Sequence, residues 1–98
     1  MSKIEEIDQI SKTKKVVVMI GTSWCGPCQL KKPSFLQIKE KHPQIHMEFI
    51  DGDDEPEFKQ EHLVQKYPTF IKLIDTEEAS RMEGAKQTLA QLEEWILA

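Results

Sequence analysis

Two cysteines separated by two residues, Cys25 and Cys28, are the residues of this sequence whose type and spacing most directly suggest chemistry. Gly26 between them permits a tight turn, and Pro27 presets φ at the start of a helix, so the two sulfur atoms come within bonding reach. Such a pair can bind zinc, form a structural disulfide or carry electrons as a dithiol. Two cysteines are too few for a disulfide framework, so we expect a catalytic or metal-binding pair.

The residues around the pair favour redox chemistry. Residues 16–20 form a continuous, mostly β-branched run that predicts a buried strand leading to Trp24-Cys25. A helix that starts directly afterwards places Cys25 at its N-terminus, where unpaired N–H groups and the helix dipole favour a thiolate. Because the thiolate attacks a disulfide, Cys25 is predicted to be the exposed nucleophile and Cys28 the more buried resolving thiol. Trp24 is expected to shield the pair and to shape substrate contact.

The hydrophobic pattern along the chain predicts elements in the order α, β, α, β, α, β, β, α. Helices are expected over residues 1–12, 27–41, about ten residues near Pro56, and from Ala85 onward, and strands over 16–20, 45–50, 69–74 and 78–83. The helix positions expected in the core are Ile4, Ile7, Ile10, Leu30, Phe35, Leu36, Ile38, Ala85, Leu89, Leu92 and Ile96. This order predicts an α/β fold in a single domain over residues 1–98, with a central mixed sheet of about four strands and helices on both faces.

Several short motifs occur in an order that resembles the thioredoxin family. They are WCGPC at residues 24–28, Pro33, YPTF at residues 67–70 and EGA at residues 83–85, so the resemblance covers nearly the whole chain. It implies a thioredoxin-like fold whose usual first strand, before the first helix, is short or absent here. It also implies a thiol–disulfide oxidoreductase that reduces protein disulfides.

The resemblance implies particular roles for residues around the cysteines. Pro68 would follow a cis peptide bond and pack beside the active-site disulfide. The surface that receives substrate would be formed by Gly26, Pro27, Tyr67, Pro68, Thr69, Gly84 and Ala85. A thioredoxin reductase would restore the dithiol, and neither a metal nor an organic cofactor is expected.

Five positions depart from the usual pattern of that family. Met19 stands where a buried Asp is usual, and the alignment places Met47 at the Lys that pairs with it. The joint loss of an ion pair is reasonable, because a lone buried charge is costly. Gly21 stands in place of a Trp and Gln29 in place of a Lys, and Glu83 adds a negative charge at the expected docking surface. These changes are expected to affect the rate and the choice of partners.

Metal binding is the main alternative for the cysteines. Cys25-x2-Cys28-x13-His42-x3-His46 falls within the spacing of a Cys2His2 zinc site. A helix over residues 27–41 would, however, separate His42 from the cysteines by roughly 20 Å, and Pro43 prevents the two histidines from sharing a helical turn. The DGDDE segment also lacks the glycine and glutamate positions of an EF-hand calcium loop.

Charge and composition limit the partners further. The 98 residues carry a formal net charge of -4, which disfavours nucleic acid and anionic membranes as main partners. The N-terminus lacks the apolar core of a signal peptide, so we expect a cytoplasmic protein, and the small acidic chain favours a monomer. Two alternatives stay open: a related protein that oxidises or isomerises disulfides, and a thioredoxin-like binding module without turnover.

Overall fold

A computed structural model describes residues 1–98 and shows one mixed sheet flanked by helices. The sheet has four strands in the order β2-β1-β3-β4; β1 pairs with β2 in parallel, and β3 is antiparallel to both of its neighbours. The elements are α1 (Lys3–Ser11), β1 (Val16–Gly21), α2 (Gly26–Lys41), β2 (His46–Asp51), α3 (Pro56–Glu61), β3 (Thr69–Ile74), β4 (Glu77–Glu83) and α4 (Leu89–Leu97). The predicted α/β fold and element order are confirmed, and within residues 1–98 no strand precedes α1.

The central strand β1 separates two apolar clusters, because every one of its residues is buried and successive side chains point to opposite faces. Val17 and Met19 pack with α2 and α4, in the cluster that also contains both cysteines. Val16, Val18 and Ile20 pack on the other face, in a cluster that includes Ile7 of α1 and Phe58 of α3. The strand nearest the cysteines is therefore supported from both sides.

The β3–β4 hairpin is confirmed and is closed by a two-residue turn at Asp75 and Thr76. Both residues have positive φ, 48° and 69°, which matches the twist that a two-residue hairpin requires. None of the helices combines the length and the apolar composition that are needed to cross a bilayer.

Helix α2 buries fewer residues than predicted. Phe35 and Ile38 are 0% and 1% exposed, but Leu30 is 83% and Leu36 is 41% exposed, so the prediction that these two leucines belong to the core is wrong. The helix turns by about 100° per residue, so Leu30 lies about 200° around the axis from the buried Cys28. Its buried stripe is narrower than the sequence suggested.

Two helices are also shorter than expected. The third helix, α3, spans six residues and ends before Leu63, whose positive φ of 51° terminates it. The C-terminal helix begins at Leu89 and not at Ala85, because Thr88 is its N-cap and accepts a hydrogen bond from the N–H of Gln91. Ala85 therefore belongs to the loop after β4.

The orientation of α2 can be tested by comparing two large-to-small substitutions. Phe35→Ala should lower the free energy of unfolding by about 3–5 kcal/mol, because it leaves a cavity in the core. Leu30→Ala, on the exposed face of the same helix, should change it by no more than about 0.5 kcal/mol. Urea unfolding of the oxidised proteins measures both, and an equal loss for the two variants would contradict this orientation.

Candidate active site

The two cysteines form a disulfide at the junction between β1 and α2. Cys25 is the N-cap of α2, and its Sγ accepts a hydrogen bond from the backbone N–H of Cys28 at 3.2 Å. Cys25 is 8% exposed and Cys28 is 0% exposed, whereas Gly26 and Pro27 between them are exposed. One sulfur thus lies at a helix N-terminus close to solvent, where negative charge is favoured, and the other lies behind it in the core.

The short turn before Cys25 is held by hydrogen bonds to a single carbonyl. The Thr22 carbonyl accepts from the N–H of Cys25 at 3.3 Å and from Nε2 of Gln29 at 3.0 Å. Gln29, one of the departures from the family pattern, therefore ties the first turn of α2 to the end of β1. The hydroxyl of Thr22 is buried without a hydrogen-bond partner.

Gly21 makes room for the buried sulfur. A Cβ atom built on Gly21 would lie 2.8 Å from Cys28 Sγ, 3.1 Å from Cys28 Cβ and 3.2 Å from Cε2 of Phe49. Those separations are shorter than normal van der Waals contact. Cys28 and Phe49 therefore fill the space that a side chain at position 21 would occupy.

The core beside the cysteines is apolar at the positions where the family usually has an ion pair. Met19 is fully buried in the same cluster as both cysteines and provides no carboxylate. The β1–β2 register pairs Met19 with Phe49 and Val17 with Met47, and Met19 and Met47 lie in the same apolar cluster. The Nζ atom of Lys32 lies over the Phe49 ring, 4.0 Å from its centroid. An aromatic ring thus neighbours Met19 across the strands.

The Trp24 side chain is held by Asp53, a residue whose role was not predicted from the sequence. The indole Nε1 of Trp24 donates to Asp53 Oδ2 at 2.6 Å, and its ring meets Tyr67 edge-on with 5.8 Å between centroids. Asp53 follows β2 and Trp24 follows β1. Because these strands are parallel, their carboxyl ends lie at the same edge of the sheet, which is the signal that could have revealed the pair. Trp24 keeps 68% of its surface exposed.

The loop before β3 meets the loop after β4. The Tyr67–Pro68 peptide bond is cis, and the Pro68 carbonyl accepts a hydrogen bond from the N–H of Gly84 at 2.8 Å. Gly84 has φ of 89°, a conformation that favours glycine, and the half-buried Ala85 follows it. Thr69 is 0% exposed, so its side chain does not belong to the open surface on which it was expected.

Tyr67 fits closely against the loop after β2. Its hydroxyl is buried without a hydrogen-bond partner, and a Cβ atom on Gly52 would overlap it. The ammonium of Lys59 lies 5.3 Å from the centroid of the Tyr67 ring. Tyr67 therefore joins the Pro68 loop to the loop that carries Asp53.

The histidines of the zinc alternative are engaged elsewhere. His42 is the C-cap of α2, at the far end of the helix from Cys28, and its Nε2 lies 2.9 Å from a carboxylate oxygen of Glu93. The Nε2 of His46 lies 2.9 Å from Glu48. No group of three or more His, Cys, Asp or Glu side chains is arranged to hold a metal ion.

Matched glycine substitutions test the packing around Cys28. Gly21→Ala should lower the free energy of unfolding of the oxidised protein by about 1–3 kcal/mol, because the new methyl group overlaps the Cys28 side chain. Gly26→Ala is the control, since a Cβ there meets nothing within 4 Å, and should change stability by less than about 1 kcal/mol. Denaturant unfolding measures both, and a neutral Gly21→Ala would contradict the close packing.

Comparison with known proteins places the chain in a family. The family model described as Thioredoxin matches residues 4–98. Thioredoxin H-type 1 from Nicotiana tabacum is 37% identical over 90 residues, which cover 87% of this chain and 71% of that protein. Thioredoxin C-3 from Corynebacterium nephridii is 31% identical over 81 residues, 83% of this chain and 55% of the relative, so this chain spans little more than half of that relative. The crystal structure of thioredoxin NaTrxh from Nicotiana alata matches with a TM-score of 0.85 at 33% identity. This match covers 95% of this chain and 81% of the NaTrxh chain. The chain therefore belongs to the thioredoxin family.

Proposed function

We propose that this chain is a thiol–disulfide oxidoreductase that reduces disulfide bonds in protein substrates through a reversible Cys25–Cys28 dithiol/disulfide. The observation that carries the proposal is the unequal placement of the two sulfurs in one disulfide. Cys25 lies at the helix N-terminus with part of its surface open, and Cys28 lies directly behind it with none. Membership of the thioredoxin family supports the same activity.

The reaction follows from these positions in two exchange steps. The Cys25 thiolate attacks one sulfur of a substrate disulfide, so a mixed disulfide forms, and the second substrate sulfur leaves as a thiolate and takes up a proton. Cys28 then loses its proton and attacks Cys25 Sγ, which forms the Cys25–Cys28 disulfide and releases the first substrate sulfur as a thiol. Two electrons pass from the dithiol to the substrate, and no cofactor is required.

The docking surface for the substrate surrounds Cys25. Exposed Trp24, Gly26 and Pro27 lie on one side, and the backbone of Tyr67-Pro68 with Gly84 and Ala85 forms the other. The Gly84–Pro68 hydrogen bond and the Trp24–Asp53 hydrogen bond keep these loops in place without a substrate. We assign Trp24, Gly26, Pro27 and Pro68 to support of the active site, and Tyr67, Gly84 and Ala85 to substrate contact.

The electron donor and the compartment belong to the same proposal. A thioredoxin reductase in the cytoplasm would return the disulfide to the dithiol, and one chain suffices for turnover because it holds both cysteines. A disulfide oxidase would use the same site in the opposite direction, and an isomerase would use it to rearrange substrate disulfides without net oxidation. Equilibration in defined dithiol/disulfide buffers, followed by intrinsic tryptophan fluorescence, separates the reductant from the disulfide donor: a low reduction potential supports a reductant and a high one a disulfide donor.

Single cysteine substitutions test the two-step reaction. Cys25→Ser should abolish reduction of insulin disulfides, because the nucleophile is lost. Cys28→Ser should stop turnover after one event and accumulate a mixed disulfide between Cys25 and the substrate, since the resolving thiol is missing. Mass spectrometry of the quenched reaction detects the adduct. Full multiple turnover by Cys28→Ser would contradict the mechanism.

The apolar core at Met19 leads to a second test. Met19→Asp should speed the resolving step, because a carboxylate near Cys28 can accept its proton, and should lower stability because it buries a charge. Met19→Asn is the control, since it adds polarity without a base, and should lower stability without raising the rate. Stopped-flow measurement of mixed-disulfide decay gives the rate, and an unchanged rate in Met19→Asp would mean that another base already serves Cys28.

A further inference from the structure

The substrate-docking surface has two sides that belong to different parts of the fold. Gly26 and Pro27 open helix α2 next to the cysteines, whereas Gly84 and Ala85 lie in the loop between β4 and α4. This loop covers residues 84–88 and contains no helix or strand. Its position relative to α2 is therefore set by individual contacts and not by a hydrogen-bonded ladder.

A chain of hydrogen bonds runs from α2 through this loop to Pro68. The ammonium of Lys31 donates to the backbone carbonyl of Gln87. The side-chain Nε2 of Gln87 donates to the Gly84 carbonyl at 3.1 Å, and the N–H of Gly84 donates to the Pro68 carbonyl at 2.8 Å. Lys31 thus connects the helix that begins at the cysteines to the far side of the docking surface.

Lys31 is placed so that its side chain bridges the helix and the loop. It lies three residues after Cys28 in α2, and its side chain is half-buried. The next helix, α4, begins at Leu89, close to the Gln87 carbonyl in the chain. The positive end of the α4 dipole disfavours a cation there, so charge alone does not account for the contact. The contact is a directed hydrogen bond that fixes where the loop lies.

The side chain of Gln87 is not arranged for stability. Its Oε1 is buried without a hydrogen-bond partner. A buried acceptor without a donor usually lowers stability by more than one ordinary hydrogen bond contributes. The hydrogen bond from Nε2 of Gln87 to Gly84 therefore orders the loop more than it stabilises the fold.

We propose that Lys31 and Gln87 are positioning residues that hold the Gly84 loop where a protein substrate bound at Cys25 can contact it. The proposal rests on the proposed function, because it concerns the same docking surface. Loss of either contact frees the loop, so the attack of Cys25 on a protein disulfide slows. A small disulfide reaches Cys25 without contacting the loop, and its reduction is unaffected.

Single-turnover kinetics of the reduced protein test the role of Lys31. Lys31→Met removes the ammonium and keeps an apolar stem, and should lower the second-order rate constant with insulin at least about fivefold, because the loop is no longer held. The rate constant with hydroxyethyl disulfide should stay within about twofold of that of the parent protein. Lys31→Arg restores a donor and should recover most of the insulin rate. Intrinsic tryptophan fluorescence follows both reactions.

Gln87→Met separates positioning from stability. It removes the donor to Gly84 together with the buried Oε1, so the urea midpoint of the oxidised protein should stay the same or rise while the insulin rate falls. The variant that combines it with Lys31→Met should lose no more than the larger single loss, because both residues act in one chain of hydrogen bonds. Lys39→Met is the matched control: Lys39 is an exposed lysine of the same helix, so both rates should stay unchanged.

Amide hydrogen exchange locates the effect. In Lys31→Met the N–H of Gly84 should exchange faster, while that of Leu92, in the buried part of α4, keeps its rate. An insulin rate equal to that of the parent protein, an equal loss with the small disulfide, or unchanged exchange at Gly84 would each overturn the role in docking alone. A parent protein that reduces neither disulfide would overturn the proposed function itself, and the role in docking with it.

Discussion

The rest of the structure depends on the packing of the Cys28 sulfur against the end of β1. This sulfur must reach Cys25 at the helix N-terminus, so that the disulfide can form, and must also fit into the core. In this chain Gly21 leaves the room for it, because a Cβ built at this position would lie 2.8 Å from Cys28 Sγ. The direction of α2 is fixed at the same place, by the N-cap at Cys25 and by the hydrogen bonds to the Thr22 carbonyl.

The other loops of the site reach the cysteines because their strands end on the same side of the sheet. β1 and β2 are parallel, so the residues that follow them meet, and Asp53 binds the Trp24 indole. β3 is antiparallel to β1, so its first residues lie where β1 ends, and the Pro68 loop arrives beside the cysteines. The hydrogen bond from the N–H of Gly84 to the Pro68 carbonyl holds the loop after β4 against the Pro68 loop. A mixed sheet of four strands thus gathers four loops around one disulfide.

The local sequence pattern predicted the helices and strands well. It failed for features that depend on which residues meet in the folded sheet. The apolar strand β1 and the polar turn of the hairpin could be predicted because each depends on residues that are neighbours in the sequence. The exposure of Leu30 depends on which stripe of α2 faces the sheet, and the neighbour of Met19 depends on the β1–β2 register. The Trp24–Asp53 hydrogen bond joins residues 29 positions apart and has no local signal. Thr69 fits the expected motif but is turned inward.

The strand β2 accounts for the apolar character of the core beside the cysteines. Inside the sheet it places Phe49 beside Met19 and within reach of the space above Gly21, so apolar packing replaces an ion pair. A buried ion pair is often no more stabilising than well-packed apolar side chains, whereas one partner alone is costly, so replacement of both is the consistent solution.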